Sequence, residues 1–456
     1  METEALTYGH GAEDDDSART TGLLITPGIP ICQTDLPLDW YQAEFKPYAE
    51  EYLALPNRLP ETVLPWMDAY MQPALRHFGK DLMLLAHFYM GGEIVKLVER
   101  YGGRIADSYQ LALETRKNPG TRYFVESAVH FMAESIAILK HPHQEVFITN
   151  PRSGCTMEMM AKDYLLEPVF SELQARYGDD LVVIAYMNTS GRIKALAGRT
   201  GGSVCTSSNA KDVLLWARRQ GKRVFFVPDR HLGENSAAAV GIPPEKQFVW
   251  PGPKERPGLR WADLTSAEKA ACDGAELLLW GGYCGVHTVY TPDQVRYWQA
   301  AGYRVLVHPE CPKTVVDVAD GAGSTNYLWS AVQRAERGAK IAIATEGHFV
   351  RNAATLGNTR GVTVVNLADI PSSSTVGCGC ATMSRNDPPH LVALLDLLRQ
   401  GKAPSANRVE PGDAVNERTG HRQRLAPGEQ ERLVGEARRA LEAMIAVVES
   451  TQAASS

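Results

Sequence analysis

No apolar run in this chain approaches the roughly 18 residues that cross a bilayer, so a membrane-spanning helix is not expected. Positive charge is not in excess either. Lys and Arg number 47 against 53 Asp and Glu, a net charge of −6, whereas a nucleic-acid-binding surface needs a basic stripe. The opening stretch, METEALTYGHGAEDDDSART, lacks the apolar core of a signal peptide and is acidic. It reads as a disordered tail, and a cytoplasmic location is expected, where thiols stay reduced. Also missing is any Cys-x2–4-Cys pair. Of the eight cysteines only Cys378-Gly-Cys380 are close, and that spacing is too short for paired zinc ligands. The cysteines of such a chain are ligands, catalysts or core fillers rather than disulfides.

What is present is ordinary in amount, 44% hydrophobic and 22% charged residues in a chain of 456, and informative in order. Such a length holds about two to four domains. Residues 38–56 and 59–79 carry helix-like apolar spacing. From about Asp81 to Asp369 short apolar runs alternate with helix-like stretches, the pattern of an α/β fold with parallel sheets. The strand candidates begin with LMLLAHFY, GRIAD, RYFVESAVHF and EVFITN, continue with LVVIAYMN, SVCT, RVFFVPD and ELLLWGG, and end with YRVLVHPE, TVVDVAD, KIAIATE and VTVVNLAD. They fall into three similar sets. The expected divisions are a leader over 1–40, a helical segment with the first α/β unit over 41–165, a second unit over 166–290, a third over 291–384, and C-terminal helices with a linker over 385–456. In the last segment an Asp cap followed by two prolines opens NDPPHLVALLDLLRQGK, and EQERLVGEARRALEAMIAVVE reads as a final helix.

The sets match at corresponding positions. The first strand of each ends in groups two residues apart, His87 and Tyr89, Tyr186 and Asn188, His308 and Glu310. Residues i and i+2 of a strand share a side, so each pair can face one crevice. The second strand of each runs into hydroxyls at an expected helix start, Ser108, Ser207, and Ser324 with Thr325, where free N–H groups favour an anion. The third strands end near His130, Asp229 and Glu346. After the fourth comes a cysteine, Cys155, Cys284, and Cys378 or Cys380. Ligands of open parallel sheets bind beyond the carboxyl ends of the strands. Three such units packed with those ends together would bring one cysteine from each to a common centre.

Three well-separated thiolates suit an iron–sulfur cluster with one iron left without a protein thiolate. Electron carriers usually have four cysteine ligands, and an open metal position binds substrate as a Lewis acid, so the pattern points to non-redox chemistry such as dehydration. The plain alternatives stand beside it. Free cysteines are commonly buried fillers, which is the reading for Cys205, Cys272 and Cys311, with Cys32 inert in the leader. The hydroxyls at helix starts can be simple caps. His141 and His143 read as a surface turn, and the run from Glu429 to Arg439 as a solvated helix face. Gly281 and Gly282 imply close backbone approach beside Cys284.

In order along the chain, LLAHFY, ADSYQLA, VHFMAES, YMNTSGRIKA, VCTSSNA, FVPDRHLG, YCGVH, VHPEC, GSTNYL and TEGHFV resemble the quinolinate synthase family. The resemblance covers about residues 80–385. It implies three α/β/α units in pseudo-threefold arrangement and a [4Fe–4S] cluster held by one cysteine from each. It also implies condensation of iminoaspartate with dihydroxyacetone phosphate to quinolinate, with release of phosphate and water, for NAD biosynthesis. By motif it makes Cys155, Cys284 and Cys380 the cluster ligands, Cys380 because CATM keeps the family's Cys-x-x-Met context, with Cys378 as the alternative. It implies catalytic roles for Glu310, the general base, and for Tyr89, His87 and His308. It assigns substrate contacts to Ser108, Tyr186, Asn188, Ser207, His287, Ser324 and Thr325. The chain departs from the family in HFYM, where His-Tyr-Tyr-Gln is common, and in CTMEMM after the first ligand. L-aspartate oxidase, which supplies the unstable imine, is the implied protein partner. The rival readings are an aconitase-like hydro-lyase and a non-catalytic iron–sulfur sensor.

Overall fold

The structure, a computed structural model, describes residues 35–371, 379–415 and 422–455. The acidic leader to residue 34, Cys32 and Cys378 lie outside the described residues. Three sheets organise the chain. The first contains β1 (Leu82–His87), β2 (Arg104–Ala106), β3 (Tyr123–Ser127) and β4 (Glu145–Ile148), in the order β2-β1-β3-β4, all parallel. The second contains β5 (Leu181–Tyr186), β6 (Ser203–Cys205), β7 (Arg223–Val227), β8 (Gln247–Trp250) and β9 (Leu277–Trp280), in the parallel order β6-β5-β7-β9-β8. The third contains β10 (Arg304–Val307), β11 (Gly321–Ala322), β12 (Lys340–Ala344) and β13 (Thr363–Asn366), in the order β11-β10-β12-β13. A short antiparallel pair, β14 (Ala414–Val415) with β15 (Arg422–Gln423), stands apart.

In each sheet the second strand lies on one side of the first and the third on the other. The strand order therefore reverses between the first and third strands, which is where open α/β sheets leave a crevice for ligands. The first strands read as continuous apolar runs because helices cover both faces. LVVIAY of β5 is buried at every position.

By contact the chain groups into two compact units, one of Met1–Gly154, Tyr297–Val305 and Leu328–Gln423, the other of Cys155–Arg296, Leu306–Tyr327 and Arg424–Ser456. In the first, Leu85, Phe124, Val146 and Ile148 of the first sheet pack on Ala133, Ile136 and Ala137 of the helix His130–Leu139. Phe124→Ala in that core would cost roughly 3–5 kcal/mol. The helix Pro60–Phe78, with proline at its first turn, packs on the helix Pro388–Arg399, whose cap is Asp387 as the sequence suggests. In the second unit the long helix Pro427–Ser455 packs on the helix Gly191–Arg199 and on β6. No helix among the described residues is long and apolar enough to cross a membrane.

The structure departs locally from the sequence reading. TVVDVAD is not a strand. Lys313–Val316 is a helical turn opened by Pro312, and the edge strand β11 follows it. β8, in QFVW, has no counterpart in the sequence reading. After Cys155 come two helices, Thr156–Met160 and Asp163–Tyr177, parted where Ala161 leaves helical geometry.

Candidate active site

In the second unit the turn after β10 carries Glu310, only 3% exposed. Its Oε1 accepts the Tyr186 hydroxyl at 2.5 Å, and its Oε2 lies 2.7 Å from His287 Nδ1 and 3.8 Å from His308 Nδ1. The two imidazoles stack with centroids 4.5 Å apart. The Glu310 backbone N–H donates to His308 Nδ1 at 3.3 Å. Burial pushes the Glu310 carboxyl up, but the charges of His287 and His308 and the hydrogen bonds from His287 and Tyr186 outweigh it and hold the group down, to about 2.

Asp229, wholly buried at the cap of the helix Arg230–Ala239, goes the other way. Burial first, then the negative charge of Glu310, pushes it well up. The two neighbouring carboxyls are thus pushed in opposite directions. Asn235 of the same helix donates to Pro309 O at 2.8 Å and Cys311 O at 2.9 Å, pinning the turn that presents Glu310.

In the first unit the corresponding turn after β1 repeats this geometry. The Tyr89 backbone N–H donates to His87 Nδ1 at 3.2 Å, as that of Glu310 does to His308. The rings of His87 and Tyr89 meet edge to face at 4.6 Å, and the Tyr89 hydroxyl is 3.1 Å from Thr345 Oγ1, just beyond β12. Also past β12, Glu346 pairs with His348 Nδ1 at 2.8 Å. Burial raises the Glu346 carboxyl, but His348 and backbone N–H groups hold it below the usual carboxylate range.

The hydroxyls divide. Ser324 caps the helix Thr325–Gln333, accepting the Tyr327 N–H at 3.4 Å, and Thr325 is buried beside it. At the helix Ser108–Ala112 an acid does the capping instead. Asp107 Oδ1 accepts the Gln110 N–H at 2.9 Å, and Ser108 is the first residue of the helix proper. Ser207 is half-buried in the turn before the helix Ala210–Arg219, where Asn209 Oδ1 accepts the Thr206 N–H at 2.7 Å.

The described cysteines fall into two classes. Cys205, Cys272 and Cys311 are buried, whereas Cys155, Cys284 and Cys380 are half-exposed. Burial pushes the thiols of the first three up. Cys155 stands at the N-cap of Thr156–Met160, with the Asn188 amide 4.0 Å from its sulfur. Cys284 follows β9. Its Sγ, a nitrogen of His287 and a carboxylate oxygen of Glu310 all lie within 4.8 Å of one another, a donor group able to hold a metal. Cys380 Sγ is 3.2 Å from Thr382 Oγ1. Its thiol is pushed up by desolvation. The three partly exposed thiols, each following one sheet in the sequence, are the candidate metal donors. The glycines before Cys284 serve the sheet rather than the thiol. A Cβ on Gly282 would sit 2.4 Å from Pro228 O, and one on Gly281 2.4 Å from Gly252 N.

Thr345, His348 and Asn235 have no part in the sequence reading. Each acts through a partner remote in sequence, except His348, whose place two residues after Glu346 in TEGHFV was a readable signal.

Comparison with known proteins bears on this arrangement. The sequence profile of the quinolinate synthetase A protein family matches residues 73–417. The quinolinate synthase of Bacillus velezensis is 34% identical over 375 residues, 80% of this chain and 96% of that protein. That of Streptomyces coelicolor is 35% identical over 389 residues, 84% and 94% of the two chains, and that of Corynebacterium glutamicum 36% over 345 residues, 74% and 81%. With three parallel sheets, polar groups at their switch points and this extent of similarity, the chain belongs to the quinolinate synthase family.

Proposed function

We propose that the chain condenses iminoaspartate with dihydroxyacetone phosphate to quinolinate, releasing phosphate and water, as a step of NAD biosynthesis in the cytoplasm. The observation that carries this reading is the buried, ionised Glu310 beside two stacked imidazoles, hydrogen-bonded to Tyr186 and with a carboxylate oxygen within 4.8 Å of the Cys284 sulfur. In this proposal Cys155, Cys284 and Cys380 would hold a [4Fe–4S] cluster, which would supply a Lewis acid for the dehydrations.

The chain's own groups do the rest. The substrates bring carboxylates and a phosphate. The helix start at Ser324 and Thr325 and the hydroxyls of Ser108 and Ser207 serve as anion sites. His308 and His287 draw a substrate carboxylate. That anion then competes with Glu310 for the same imidazoles and raises its pKa from about 2 toward the range where a general base works. Glu310 takes the proton. Tyr186, donating to Glu310 Oε1, and Tyr89, oriented by His87 and Thr345, exchange protons with hydroxyl and carbonyl groups during isomerisation and ring closure. Asn188 lies against Cys155, where it orients substrate beside that ligand. Delivery of the unstable imine by L-aspartate oxidase fits this assignment.

The test is an anaerobic assay of the purified protein with both substrates. Quinolinate and phosphate formed together support the reading. Dehydration of a hydroxy acid without condensation would replace it with a hydro-lyase.

A further inference from the structure

Two acidic residues outside the proposed ligand and substrate sets occupy the same place in their sheets. Asp229 is two residues past the end of β7 and Glu346 two past the end of β12. Each caps the helix that follows, Asp229 accepting the Leu232 N–H at 2.7 Å and Glu346 Oε2 the Phe349 N–H at 2.9 Å. Glu346 also reaches a cysteine, its Oε1 accepting the backbone N–H of Cys380 at 2.9 Å. The main chain joins in: Asp229 bridges to Gly282, and the Arg230 N–H donates to Gly282 O at 2.9 Å. Cys284 comes two residues later. The first sheet keeps only this backbone half. Val129 caps without a side-chain bond, and the His130 N–H donates to Ser153 O at 2.8 Å, two residues before Cys155.

A plain helix cap needs one acceptor and a short side chain. Glutamate at the cap position of Gly347–Arg360 is long for that task, and its second oxygen is used on Cys380 and His348. The approach is tight. A Cβ on Gly379 would lie 2.5 Å from His348 Cε1 and 3.0 Å from Glu346 Oε1, so only glycine lets the chain pass over this pair into Cys380.

We propose that Glu346 is a positioning residue for the metal cluster, clamping the backbone of the ligand Cys380 to the start of the helix beyond its sheet's third strand. The inference rests on the assignment of that cysteine as a ligand. A loop fixed through its N–H keeps its thiolate in place when an iron–sulfur bond opens transiently, so the clamp governs how fast the cluster is lost.

The discriminating variant is Glu346→Ser, because serine is a good cap but cannot reach Cys380. The holoenzyme is purified anaerobically, and iron release to a chelator is followed by the loss of visible absorption. Thermal unfolding is recorded by circular dichroism. The expected result is an unfolding midpoint close to that of the unchanged protein with iron release faster by roughly tenfold or more, the worth of one hydrogen bond to a charged acceptor. Glu346→Gln, which keeps a long acceptor, restores part of the slow release. Should Glu346→Ser not fold, Glu346→Asp, which keeps an acidic cap but draws the second oxygen back from Cys380, is read in the same way. Release at the original rate in the folded variant overturns the inference. Cys380→Ser separates the two ideas. If it keeps its iron, the ligand assignment fails. If it loses iron while Glu346→Ser holds it normally, only the clamp fails.

Discussion

Glu310→Gln isolates charge from shape at the centre of the site. The amide has nearly the same outline, and both neighbours can adapt to it. The Tyr186 oxygen, now 2.5 Å from Oε1, can accept from an NH2 or donate to the carbonyl, and His287, 2.7 Å from Oε2, can exchange tautomers. What disappears is the anion. In the unchanged protein the carboxyl is held from its ordinary 4.5 down to about 2, and at about 1.4 kcal/mol per unit this corresponds to roughly 3 kcal/mol of stability. The sign follows from the direction. A carboxyl depressed by folding contributes fully above its unfolded pKa, and the contribution fades as pH falls from about 4.5 to about 2. The amide recovers part of it through neutral hydrogen bonds, so denaturant unfolding at neutral pH should show a loss of about 1–3 kcal/mol. That loss should shrink toward pH 2. Turnover loses more, because a positioned base is worth roughly 10²–10⁴-fold. Anaerobic kinetics on preparations matched for iron content should show kcat lowered by about two orders of magnitude or more with iron unchanged. Turnover within about threefold of the original at full iron content would remove Glu310 from the mechanism.

Two further expectations concern residues that support the site. Glu126, on β3 between Leu85 and Ile148, is fully buried, and neither of its carboxyl oxygens has a hydrogen-bond partner among the described residues. Burial pushes its pKa well up. A raised carboxyl stabilises the fold only while protonated, so Glu126→Gln should gain stability over the original progressively as pH rises above the ordinary carboxylate value of 4.5 in urea unfolding. A difference that does not change with pH would contradict that state. Asn235→Ala removes two amide bonds to the 309–311 turn, about 2 kcal/mol in all. It should lower kcat by roughly tenfold with little change in iron content, and unchanged kcat would mean the turn holds Glu310 without it.

The three-sheet plan was legible because parallel strands covered on both faces must be apolar throughout. LMLLAH and LVVIAY, each followed by polar residues two apart, mark both strand and crevice. β8 was hidden by its flanks. Pro243, Pro244 and Pro251 make QFVW look like part of a loop. TVVDVAD misled through its β-branched valines, although Pro312 before it was a helix-start signal, and the strand that does pair there has only Gly321 and Ala322 to show for itself. Asp107 displaced Ser108 as a cap because both residue types fill that position and one register step separates them. The pairs His87–Tyr89 and His308–Glu310 could be matched from spacing alone, since a shared local turn makes their geometry. Contacts such as Tyr89 with Thr345 and Asn235 with Pro309 join distant segments, and spacing carries no trace of them.

The central claim is that three half-exposed cysteines, one after each sheet, hold one cluster while the buried ones only fill the core. Iron and sulfide content of anaerobically purified single variants tests it most directly. Cys155→Ser, Cys284→Ser and Cys380→Ser should each lose most of the iron, and Cys205→Ser, Cys272→Ser, Cys311→Ser and Cys378→Ser should keep a full [4Fe–4S] complement. A full complement retained in every variant would contradict the three-thiolate account, and loss in Cys378→Ser with retention in Cys380→Ser would move the third ligand to Cys378.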